Sequence, residues 1–285
     1  MDNRLLAGPA QGRLPRSPLL LVGVVGGGML VALLGALLLG PLVFWLPPEL
    51  AATLPFGGIW LALWIWVSGV ERRPFRSVGL EAARPVGAYL RGAGLGLVSL
   101  SLVVAGLVLV GAARLEGLKL SAEMLLPLAL AALGYSVQGS AEELLLRGWL
   151  LPVVAWRGGL VAGLIAQAAL FALLHGANPG VTPIALLNLV LVSFVLAFWA
   201  LAEQQIWPVM GWHAAWNWAQ SHLFGLPVSG LNFTAALLPT TITGPEWLSG
   251  GGFGVEGSIL TSVLLLASGV VLARWRSGPR RAGNP

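Results

Sequence analysis

Six side chains have the types and spacing to carry out hydrolytic chemistry. They are Glu142, Glu143 and Arg147 in AEELLLR, His175 at the end of FALLH, and His213 and Asn217 in GWHAAWN. The chain has only three histidines, and two of them are in this set. A carboxylate and an imidazole together can take a proton from water. A second imidazole and an amide can donate to the oxyanion formed when that water attacks a carbonyl. Such a set hydrolyses a peptide bond without a Ser or Cys nucleophile, and cysteine is absent from the chain. The same two histidines and one or two glutamates can instead hold a tetrahedral Zn²⁺ with one open position. Spacing does not separate the two mechanisms, because no HExxH or comparable local metal motif is present.

Helical periodicity groups these residues. Glu143 and Arg147 are i and i+4, neighbours on one face with the acid on the favourable N-terminal side. A carboxylate beside a guanidinium can stay ionised away from water. Glu142 is turned about 100° from Glu143 and shares a face with Gln138 and Tyr135. His175 shares a face with Phe171 and Gln167, and His213 with Asn217 and Gln220. Three segments thus each present one polar stripe, as expected around a common wet cavity. Depth works against this grouping: at 1.5 Å per residue, His175 lies about 10 Å further along its helix than Glu142. The N-terminal tilt of Cβ atoms and non-helical residues at Arg157–Gly158–Gly159 would narrow that gap.

The elements that must position these groups are membrane helices. The chain is 57% hydrophobic and 9% charged, against about 25% charged for a soluble domain. Several continuous apolar runs exceed the roughly 20 residues that cross a bilayer core. Lipid-exposed backbone must satisfy its own hydrogen bonds, and unbroken runs indicate helices rather than a barrel. The expected fold is all-α, a polytopic bundle of about eight spans near 19–46, 49–70, 92–113, 124–151, 159–177, 183–202, 207–224 and 256–274. The first run is too long for a cleavable signal peptide and lacks a small-residue cleavage site. The net charge of +5 is carried by loops and tails beside apolar runs, so it indicates orientation and not nucleic-acid binding. With the N-terminus in the cytoplasm, Arg4, Arg13, Arg16, Arg72, Arg73, Arg76, Arg84, Arg91, Arg157, Arg274, Arg276, Arg280 and Arg281 fall inside, and only Arg114 and Lys119 outside. Both termini are then cytoplasmic, the site lies in the cytoplasmic half of the bilayer, and 225–255 forms a long outer loop.

EELLLR with the following Gly148, then FALLH, then HAAWN resemble in order the EExxxR, FxxxH and HxxxN motifs of the CPBP family, the CAAX proteases and bacteriocin-processing enzymes. The resemblance covers about residues 124–224, roughly that family's four-helix core. It divides the chain into N-terminal helices with an Arg-rich loop (1–123), a catalytic core (124–224), and an outer loop, last helix and basic tail (225–285). It implies an intramembrane endopeptidase acting on membrane proteins or peptides. In that scheme Glu142 with His175 activates water, Glu143 and Arg147 support it, and His213 with Asn217 stabilises the oxyanion. The family is described both as metal-dependent and as a metal-free glutamate protease, so no cofactor is certain and zinc stays open. No feature of the sequence indicates prenyl recognition. A compact, arginine-rich chain suits a prokaryotic cell membrane.

Other readings compete. The bundle can be a non-catalytic immunity or scaffold protein, or a proton-coupled transporter using Glu142 and the histidines as a relay. The absence of internal repeats and paired broken helices speaks against the transporter, and the cost of intramembrane acids speaks against the scaffold. Glu143–Arg147 can be a structural ion pair in any of these. His222 reads as interfacial, Glu203 as a helix-end residue, and Asn188 and Ser193 as helix–helix hydrogen-bonding groups. Trp45, Trp149, Trp207 and Trp275 fit an aromatic belt. The glycines from Gly23 to Gly28 suggest close helix contact. The Arg-rich 71–91 segment reads as an orientation signal, with an interfacial helix as the alternative.

Overall fold

The computed structural model describes residues 3–14, 17–233 and 235–277; Arg16, Arg280 and Arg281 lie outside them. Eight helices carry the architecture: α1 (Pro18–Leu39), α2 (Gly57–Ile65), α3 (Pro85–Leu109), α4 (Ala122–Glu143), α5 (Leu151–His175), α6 (Pro183–Glu203), α7 (Trp207–Trp218) and α8 (Ile259–Ser277). One antiparallel ribbon, β1 (Ala113–Leu115) with β2 (Thr240–Ile242), ties the α3–α4 connection to the loop before α8. The protein is an integral membrane protein. Among the described residues five helical stretches are long and apolar enough to cross a bilayer: Leu20–Leu39, Glu49–Val70, Pro85–Leu109, Ala122–His175 and Pro183–Glu203. A sixth apolar helix, Ile259–Trp275, is shorter.

The expected and observed boundaries differ for identifiable reasons. The first run ends as an α-helix at Leu39 and closes in a tighter turn, Gly40–Trp45. Helix α3 starts at Pro85, seven residues before the expected 92, because proline at the first helical position needs no N–H partner. The stretch expected as a loop at 152–158 is helical, and α4 runs into α5 through a wide π turn, Leu144–Leu150. The reversal occurs at one residue, Gly159, with φ 81° and ψ 164°, a backbone shape that side chains disfavour. Beyond it the chain returns close enough that a Cβ on Gly163 would stand 2.6 Å from the Leu151 carbonyl oxygen. Thr182 starts α6 by accepting the Ala185 N–H at 3.1 Å, next to Pro183.

Without a strong hydrophobic drive between helices in lipid, close backbone approach does the packing. Gly92 and Gly96 on α3 meet α7: a Cβ would fall 1.9 Å from the Pro208 carbonyl oxygen at the first and 2.4 Å from that of Trp212 at the second. Gly211 reciprocates against Tyr89. Gly139 brings α4 against Ala214 of α7, one turn from the acidic pair. Within the glycine run of α1, only Gly27 and Gly28 have close neighbours, the Trp66 and Trp149 rings, while Gly23 and Gly26 face open space. The tightest α1–α2 contact is further along, between Gly35 and Gly58.

The 71–91 segment is neither an interfacial helix nor only an orientation signal. Its one helical turn before α3 is Phe75–Ser77. Arg73 is fully buried and donates to Glu71 at 2.6 Å and to Ser77 at 2.8 Å. Trp149, expected in an aromatic belt, is also fully buried and donates Nε1–H to the same Glu71 carboxylate at 2.6 Å. Trp45 and Trp275 are exposed, as a belt requires. Asn188 bonds across elements as expected, donating to the Glu256 and Ser258 carbonyls and accepting from Ser262.

Gly92→Ala is expected to lower the thermal unfolding midpoint in detergent by an amount matching an overpacking cost of about 1–3 kcal/mol. Gly94→Ala, facing open space two residues on, should leave it unchanged. Equal behaviour of the two variants would contradict the α3–α7 contact.

Candidate active site

The Glu143 carboxylate lies, fully buried, at the centre of a charged cluster. Its Oε1 accepts from Arg147 Nη1 at 3.0 Å and lies 2.8 Å from His213 Nδ1. Glu143 and Arg147 are both fully buried. A carboxylate accepts only, so His213 Nδ1 carries the proton and Nε2 is turned to the neighbouring acid. That acid is Glu142, whose Oε2 is 3.7 Å from Nε2. Its other oxygen accepts from Gln138 Nε2 at 2.6 Å, and Gln138 in turn accepts from Asn217 Nδ2 at 3.0 Å. One chain of polar contacts therefore runs from Arg147 through Glu143, His213, Glu142 and Gln138 to Asn217.

Two helices supply this chain. Glu142 and Glu143 end α4, and Arg147 is in the π turn that follows. His213 and Asn217 are one turn apart on α7. Phe171 of α5 joins them from the third side. Arg147 Cζ lies 5.1 Å over its ring, the His213 ring meets it edge-on at 6.2 Å, and the His175 ring tilts against it at 4.6 Å. The phenylalanine four residues before His175 thus contacts three of the six motif residues.

A cavity of about 350 Å³ opens against the cluster. Gln138, Glu142, His175, His213, Asn217 and Glu256 line its polar side, and Ala32, Leu33, Ala36, Phe56 and Ile59 line an apolar side. The 10 Å depth offset does not keep His175 from this shared space. His175 does not approach Glu142 within ion-pairing distance; its Nδ1 bonds the Phe171 carbonyl at 2.9 Å. A carbonyl only accepts, so Nδ1 is again the donor, and this bond leaves Nε2 free of it. Gln167, expected on the His175 stripe, points elsewhere and donates to the Leu164 and Ser193 carbonyls. Glu142 Oε2 is buried without a hydrogen-bond partner.

His222 is not interfacial. The chain widens into a π turn at Ala219–Leu223, which carries the ring inward; it is 2% exposed, between Tyr135 and Phe233. The residue that the sequence reading passed over is Glu256. It belongs to the turn Val255–Gly257 before α8, outside the helices. Its carboxylate accepts from the Ser229 backbone N–H at 2.5 Å, from the Ser229 hydroxyl at 3.1 Å and from Gln220 at 3.2 Å. Burial pushes this carboxyl up from its ordinary range, opposed first by the Ser229 N–H and then by His175. An acid at the edge of an apolar run was the available signal.

The cluster does not fit a metal centre. Among the described residues no three His, Cys, Asp or Glu side chains converge on one point. Both of His213's nitrogens are turned to carboxylates, and His175 is across the cavity.

Residues 124–219 match the family model described as type II CAAX prenyl endopeptidase, Rce1-like. This chain carries a CPBP-family domain. No curated protein matches the chain, and no solved structure matches it. The matched CPBP segment contains Glu142, Glu143, Arg147, His175, His213 and Asn217, and its family is one of intramembrane proteases. Glu256 and the apolar cavity wall from α1 and α2 lie outside it.

Arg147→Ala leaves Glu143 as an uncompensated buried charge and is expected to destabilise the fold by about 3–5 kcal/mol. Arg147→Met combined with Glu143→Leu should cost clearly less. Unfolding of both variants in mixed micelles checks this, and an equal loss would contradict the ion pair.

Proposed function

We propose that this protein is an intramembrane endopeptidase in which Glu142 activates water for attack on a peptide carbonyl. The observation that carries the reading is Glu142, a residue lining the cavity beside His213, whose buried Oε2 has no hydrogen-bond partner; His175, Asn217 and apolar side chains of α1 and α2 line the same cavity. An apolar substrate segment fits the wall from α1 and α2, with its backbone against the polar side.

The steps balance within the cluster. Glu142 removes a proton from water, and the hydroxide adds to the carbonyl carbon. His175, with Nε2 unprotonated, assists as second acceptor across the cavity. The oxyanion is met by His213 Nε2–H and by the Asn217 amide, which leaves Gln138 for the substrate. For that role His213 carries both protons. The buried charges then cancel: Arg147 and His213 against Glu143 and Glu142, with no uncompensated ion in low dielectric. Collapse of the tetrahedral intermediate breaks the C–N bond, and protonated Glu142 returns its proton to the leaving amine. Glu143 and Arg147 touch no reacting atom; they position His213.

The reading extends to arrangement in the membrane. We infer eight crossings, with 124–224 as a four-helix catalytic core framed by 1–123 and 225–285. The arginine distribution supports both termini in the cytoplasm of a prokaryotic cell. In that orientation Phe56, Asn178, Ser229 and Glu256, which line the cavity, belong to outer ends of the bundle, so the cavity extends from the Glu142 cluster toward the outer side and not into the cytoplasmic half expected from the sequence. The substrate is a membrane protein or peptide.

Glu142→Gln nearly preserves shape and removes the base, so turnover should fall by about 10²–10⁴-fold with unchanged folding. Wild type and variant, expressed at matched levels, are compared by mass-spectrometric mapping of membrane-protein termini. New termini near apolar segments that appear only with the wild type are expected. Identical maps from two folded proteins would overturn the protease.

A further inference from the structure

The charges that line the main cavity are unbalanced. Arg147 and Glu143 cancel each other behind its wall, and no Lys or Arg is among its lining residues. Two carboxylates face the space, Glu142 and Glu256. Glu142 has His213 beside it. Glu256 has no cation within ion-pairing distance among the described residues; neutral donors, Ser229 and Gln220, hold it, and His175 of the same cavity acts on it only at longer range. These bonds concentrate on Oε2, while Oε1 accepts a single contact, from the Ser229 hydroxyl at 3.1 Å. Glu256 therefore keeps acceptor capacity on Oε1, and the residue lines the cavity. A partly buried carboxylate without a cation is costly, and a cation brought in by a ligand relieves that cost. Glu142, 8% exposed, lines the same cavity and keeps one oxygen, Oε2, buried without a hydrogen-bond partner, a second observation that marks the cavity as a place for a bound molecule.

We propose that Glu256 is a specificity residue, and that the cavity takes an apolar peptide segment carrying a basic side chain, Lys or Arg, paired with Glu256. The inference rests on the protease reading for its setting. It also sets a limit on the substrate. With His213 already matched to Glu142, a carboxylate placed beside Glu256 meets a second acid, so an acidic side chain or a free C-terminus at that position is disfavoured. The matched family description names CAAX prenyl substrates; the charge lining this cavity favours an internal segment beside a basic residue.

The test uses the full chain in detergent micelles and fluorescent peptides with one apolar segment. A central position is Lys, norleucine or Glu, and the C-terminus is an amide or a free acid. Binding is read by anisotropy and cleavage by mass spectrometry. The Lys amide should bind the wild type roughly tenfold or more tightly than the norleucine amide, the scale of one charge-assisted hydrogen bond. Glu and free-acid peptides should bind weakest. Glu256→Gln retains acceptors for Ser229 and should bring Lys and norleucine within about twofold, a range well inside a tenfold affinity step. Glu142→Gln should lose cleavage and keep the Lys preference. Equal wild-type binding of Lys and norleucine peptides overturns the proposal with no variant needed, as does a preference that survives Glu256→Gln. Lys preference with undiminished cleavage by Glu142→Gln would instead overturn the protease mechanism and leave the specificity assignment standing.

Discussion

The interaction on which the site depends is the bridge made by Glu143. One carboxylate oxygen holds Arg147 from its own helix and His213 from α7. In the low dielectric of a bundle interior each of these groups alone would be costly, and together they are tolerable only in a narrow geometry. That geometry turns His213 Nε2 toward Glu142 Oε2, which has no hydrogen-bond partner, in a residue that lines the cavity. In the proposed mechanism the pair EE divides its labour: the second glutamate orients His213, and the first reacts.

The bridge requires α4 and α7 to lie close, and small residues permit this. Gly139 admits Ala214 beside the acids, and Gly92, Gly96 and Gly211 clamp α7 to α3. The π turns at Leu144–Leu150 and Ala219–Leu223 frame the same region. Such wide turns occur often at functional sites, where they rotate side chains out of ordinary α register. Phe171 fills the space between Arg147, His175 and His213, which explains why an aromatic residue precedes that histidine by one turn.

Much of this was legible in the residues. The Glu143–Arg147 contact and the shared stripe of Glu142, Gln138 and Tyr135 follow from helical spacing alone, and the helices follow from apolar runs. Other features had no periodic signal. Trp149 and Arg73 read as boundary residues because tryptophan and arginine usually sit at membrane edges; their burial depends on Glu71, a partner distant in sequence. His222 reads as interfacial because regular α spacing turns it away from His213, whereas the chain widens there into a π turn. Glu256 belongs to an irregular turn, and only the folded chain brings it to the cavity that holds His175. The apolar wall from α1 and α2 was likewise invisible, since hydrophobicity looks the same toward lipid and toward substrate.

The most direct test of the bridge is a double-mutant cycle between Glu143 and His213. Glu143→Gln, His213→Gln and the double variant are unfolded reversibly in mixed micelles, and the free energies are compared with the wild type. A direct charged contact predicts coupling of about 1–3 kcal/mol, with the double variant losing less than the sum of the singles. Additivity within about 0.5 kcal/mol would contradict the bridge and with it the orientation of His213 toward Glu142.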